Sequence, residues 1–155
     1  MPGVPQDEWR ETVRMFDWIE RNSSPDAVLI GNLDPVLYLY TGRKSVRGFV
    51  QNPYLLHYTA DERALPLGRP SELLDTIRWY GANYLIAAPN ASFKEGPYLA
   101  RLTRDLLREH PHQFRLAYQS ADSRYRIYAI ALEGCADDLR VKANCRSGGR
   151  LIGSD

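Results

Sequence analysis

Of the three histidines in this chain, His57 has the most chemical company. Tyr54, Tyr58, Asp61, Glu62 and Arg63 stand close to it in sequence, and an imidazole beside carboxylates can move a proton. A solvated loop histidine is the simpler reading of the same residues. Asp61 and Glu62 do not make a hydrolytic pair, because such a pair needs two opposed carboxyls with their acidities pushed apart. His110 and His112 flank Pro111 after a helical stretch, where a cation meets the negative end of a helix dipole. No cluster of carboxylates or cysteines completes a metal site around them. Cys135 and Cys145 are too widely spaced for half a zinc site, and no second pair accompanies them. They read as two separate thiols, or as a disulfide if the compartment is oxidising. No catalytic residue, metal or cofactor is expected.

The binding candidates are better placed than the catalytic ones. Gly31-Asn32-Leu33-Asp34 follows a buried apolar run, where a dinucleotide-binding fold puts its phosphate loop. It lacks the second and third glycines that let a backbone approach a pyrophosphate. P-loop, Gly-x-Ser-x-Gly and His-Glu-x-x-His patterns are absent as well. Arg43-Lys44 and Arg47 could grip a phosphate, or stand as solvated loop charges. The 10 tyrosines suit core packing, and also sugar faces and interfaces, since each joins a ring to a polar tip. Asn22-Ser23-Ser24 and Asn90-Ala91-Ser92 fit the glycosylation sequon, which matters only in a secretory host.

These residues need elements to hold them. Trp9, Val13, Phe16 and Ile19 recur at helical spacing and predict a helix over 8–21, capped by Asp7. Pro25 ends it. Ala27-Val28-Leu29-Ile30 is a continuous apolar run, the mark of a strand covered on both faces. Asp34 suits an N-cap and Pro35 a first helical position, for a short helix over 35–41 stopped by Gly42. Lys44 to Phe49 reads as a second strand. An irregular excursion with several prolines then runs over 50–69. A helix over 71–80 turns Leu73, Leu74, Ile77 and Tyr80 inward, with Gly81 as its stop. A strand over 83–88 and a helix over 95–109 follow, the latter with Leu99, Leu102 and Leu106 on one face. Two alternating strands close the pattern. Phe114, Leu116 and Tyr118 share one face, and Tyr125, Ile127 and Ala129 another. Ser120 to Ser123 joins them as an antiparallel hairpin.

The fold expected is an α/β three-layer sandwich with a mostly parallel sheet and a C-terminal antiparallel hairpin. Val28, Leu29, Ile30, Leu85 and Ile86 should be nearly fully buried. Residues 1–132 form the single domain, and 133–155 read as a flexible tail. A chain of 155 residues, 44% hydrophobic and 25% charged, supports one core. Its net charge of +1 excludes the broad basic footprint of a nucleic-acid binder. No stretch reaches the roughly 20 apolar residues of a membrane span, and the first residues lack a signal-peptide pattern. Read as complete, the chain is cytoplasmic; read as a piece of something longer, its compartment is open.

One combination of segments carries a resemblance. Trp9 to Glu20, then Asn22 to Ile30, then Tyr40-Thr41-Gly42-Arg43-Lys44, is similar to the extracytoplasmic tail of multispanning glycosyltransferases that use polyprenyl-phosphate sugars. These are the dolichyl-phosphate-mannose protein mannosyltransferase-like and lipid A arabinosyltransferase-like enzymes. Gly81 to Ile86 and Tyr125-Arg126-Ile127-Tyr128 also look like that tail, so the resemblance spans 8–131. Oligosaccharyltransferase subunits carry a similar helix, strand and turn before a Trp-Trp-Asp-Tyr-Gly motif. Here only Asp34 corresponds and both tryptophans are missing, so sequon recognition is not implied. The superfamily's catalytic aspartate lies in a membrane domain, so no catalytic residue transfers to this chain.

The resemblance implies an accessory domain that covers an active-site mouth or aids acceptor binding. Its partner would be a membrane-embedded glycosyltransferase domain, in cis or as a separate chain, with a glycan or lipid-linked sugar as ligand and no nucleic acid. Its location would then be periplasmic or extracytoplasmic. A stand-alone binding domain and a small enzyme acting on a sugar or phosphate ester are the alternatives. In an open α/β sheet, ligands settle beyond the carboxyl ends of parallel strands. That rule nominates Asn32, Asp34, Tyr54, His57, Tyr58, Asn90 and Ser92, with Arg43 at the rim.

Overall fold

The computed structural model describes residues 6–48, 69–88 and 96–131. Among the described residues, nine elements follow in order: α1 Gln6–Asn22, β1 Val28–Gly31, α2 Asp34–Thr41, β2 Lys44–Arg47, α3 Pro70–Tyr80, β3 Tyr84–Ala87, α4 Gly96–Glu109, β4 Phe114–Gln119 and β5 Arg126–Ile130. The five strands form one sheet in the order β2-β1-β3-β5-β4. β2, β1 and β3 run parallel, and β5 is antiparallel to both β3 and β4. The expected α/β class, parallel centre and closing hairpin are all present.

Neighbouring residues on the central strands point to opposite faces, and each face is covered. Leu29 and Ile86 join Met15, Phe16 and Ile19 of α1 and Leu37 of α2 on one side, with Tyr125 and Ile127. Ile30 and Leu85 join Leu73, Leu74 and Ile77 of α3 and Leu102 and Leu106 of α4 on the other, with Phe114. These two apolar layers are why the short runs Val-Leu-Ile and Tyr-Leu-Ile-Ala carry no polar alternation. Leu29, Ile30, Leu85 and Ile86 are fully buried. Val28 is not; it sits half-buried at the border of the α3–α4 layer.

Glycines do two different jobs here. Gly42 ends α2 at φ 65°, and its N–H donates to the Tyr38 carbonyl. A side chain strains that left-handed conformation. Gly31 instead permits contact: a Cβ there would meet the Ile86 carbonyl oxygen at 2.9 Å, so β1 and β3 approach closely at this point.

Several local expectations are corrected. α1 begins at Gln6, so Asp7 lies inside the helix and not before it. Leu33 is the N-cap of α2, without a side-chain capping bond, and Asp34 is its first residue. An acidic first turn still complements the helix dipole. Tyr80 is exposed, at 47%, and not turned inward. A register shift between Leu116 and Tyr118 breaks the alternation of β4. Phe114 packs against α3 and α4, while Tyr118 packs on the α1 side, so the two do not share a face. The extra residue of a bulge has this effect, because it turns every later side chain over. The tail over 133–155, with Cys135 and Cys145, lies outside the described residues.

Candidate functional site

The carboxyl ends of β1 and β3 define a topological switch point. β1 leads into α2 on the α1 side of the sheet, and β3 leads toward α4 on the opposite side. The connections therefore diverge to opposite faces at this edge, which is the usual ligand position in such sheets. Two asparagines mark the ends of the same seam. At the amino end, Asn83 Oδ1 accepts the Val28 N–H at 2.8 Å, and the Asn83 N–H donates to the Val28 carbonyl at 2.8 Å. At the carboxyl end, Asn32 Nδ2 donates to the Ala88 carbonyl at 3.3 Å. Asn32 is 8% exposed, and its Oδ1 is buried with no hydrogen-bond partner among the described residues. A buried acceptor left unmatched is costly, so Asn32 marks a buried polar point at this edge.

Asp34 stands next to it, and Arg47 at the end of β2 donates from Nε to Asp34 Oδ1 at 3.2 Å. Arg47 is 44% exposed, so the pair contributes only about 0–1 kcal/mol. Its role is to fix two opposite charges at this edge. Because β5 runs backwards, its first residue, Arg126, is also at the carboxyl edge, in register with Ala87 and Gln119. The hairpin beyond it is tightly bonded. Ser120 Oγ and the Arg124 N–H donate to the Asp122 carboxylate and hold that group below its ordinary pKa.

The other candidates separate. Arg43 lies at the opposite, amino edge, because β2 begins beside it and Lys44 pairs with Val28. Its guanidinium is spent on structure. Nε donates to Ser23 Oγ at 3.1 Å, Nη1 to the Thr41 carbonyl at 3.0 Å, and Nη2 to the Glu20 and Ser23 carbonyls at 3.1 and 3.2 Å. Arg43 thus ties the carboxyl end of α1 to the end of α2, where a cation is favoured by the dipole. Replacing it with Ala is expected to lower stability by about 1.5–3 kcal/mol. Lys should not restore it, since an ammonium cannot span this fork of acceptors. Urea denaturation of the two variants checks this; an unchanged midpoint for Arg43→Ala would remove the clasp.

Tyr54, His57, Tyr58, Asn90 and Ser92 lie outside the described residues. His110 and His112 follow α4 at the amino edge, away from Asn32 and Asp34. Among the described residues, no group of three His, Cys, Asp or Glu side chains is gathered as a metal site requires. Nor, among them, is any helix long and apolar enough to cross a membrane. The sequence pattern groups Arg47 with Arg43 and does not single out Arg126; the fold separates the first two and puts Arg126 at the carboxyl edge. The reversed direction of the last strand was the signal for Arg126.

Fold and edge define an α/β sandwich domain with Asn32, Asp34, Arg47 and Arg126 at the carboxyl ends of its parallel strands. No family model matches the chain, and no curated protein does. Among solved structures, it is similar to the C-terminal globular domain of an oligosaccharyltransferase from Archaeoglobus fulgidus. The TM-score is 0.41 and the identity 12%, over 83% of this chain and 100% of that one. So loose a likeness transfers no residue and no chemistry.

Proposed function

We propose that this is an accessory domain of a membrane glycosyltransferase that uses polyprenyl-phosphate sugars, attached to it or recruited as a separate chain. The domain does not transfer sugar alone. Its carboxyl edge faces the membrane partner or the acceptor, on the periplasmic or extracytoplasmic side. The resemblance over 8–131 supports the setting. The observation that supports the placement is at the carboxyl ends of β1 and β3, where the buried Asn32 Oδ1 has no hydrogen-bond partner among the described residues and Asp34 and Arg47 are paired beside it.

The described residues offer polar contacts at this edge and no acid–base pair aimed at a common point. That suits holding or orienting a ligand better than cleaving one. The purified 155 residues, supplied with a polyprenyl-phosphate sugar and an acceptor, are expected to give no transfer product above the uncatalysed background. Measurable turnover by the isolated chain refutes the accessory role and favours a small independent enzyme.

A further inference from the structure

We draw no further inference here: the strongest candidate, the exposed pair of rings that Tyr40 of α2 and Trp9 of α1 bring together, carries nothing because no feature of the described residues shows what covers it.

Discussion

Leu29→Ala is expected to destabilise the domain by about 2–5 kcal/mol. Leu29 is 0% exposed on the strand at the centre of the parallel set, between β2 and β3. Its side chain fills the layer beneath α1 and α2, where Met15, Phe16, Ile19, Leu37 and Ile86 also meet. Truncation removes buried apolar surface and leaves a hole that neighbours held in a sheet refill only in part. Domains of this size have about 5–15 kcal/mol in total, so the loss is a large share of the whole. Denaturant titration followed by circular dichroism reads it directly. A change below about 0.5 kcal/mol, the range of ordinary surface sites, would contradict the burial of this strand.

Tyr125→Ala should be at least as damaging, at about 3–5 kcal/mol by analogy with other buried aromatic truncations. Tyr125 is 1% exposed and belongs to the same apolar layer. Its hydroxyl lies 2.9 Å from Thr12 Oγ1, so it also joins the hairpin to α1 across 113 residues of sequence. Tyr125→Phe separates the two contributions. It keeps the ring and removes only the hydroxyl, and should cost about 0.5–1.5 kcal/mol. If the Phe variant were as unstable as the Ala variant, the hydrogen bond and not the packing would be the main contribution of this residue.

Much of the fold was legible because it is written in local signals. The runs around Leu29 and Leu85 are apolar on successive residues, as strands covered on both faces must be. Gly42 and Gly81 stop α2 and α3 in left-handed conformations, as their positions implied. What failed to show depends on contacts distant in sequence. The bulge in β4 arises from its pairing with β5, so strict alternation misassigned Tyr118. Tyr80 fits the helical period of α3, yet it is the last residue of that helix and stays exposed. Arg43 and Arg47 have the same chemistry four residues apart. One four-residue strand between them sends the first to the amino edge and the second to the carboxyl edge. At the candidate site, Asn32 and Asp34 followed from the rule about strand ends. That Asn32 Oδ1 is buried with no partner among the described residues, while Nδ2 donates to Ala88, is visible only in the folded chain.

The central claim, that the carboxyl edge works for a membrane glycosyltransferase, is tested by comparing the two edges of the sheet in one assay. Asp34→Ala, Arg47→Ala and Arg126→Ala sample the carboxyl edge, while Lys44→Ala and His112→Ala sample the amino edge. Sugar transfer by the membrane enzyme that carries or recruits the domain is measured for each variant, with the thermal midpoint followed in parallel. At least one carboxyl-edge variant is expected to slow transfer by about tenfold or more, equivalent to about 1.4 kcal/mol, with little change in midpoint. The amino-edge variants should transfer at the parent rate. Full activity in all three carboxyl-edge variants, with loss confined to Lys44→Ala or His112→Ala, would contradict the account.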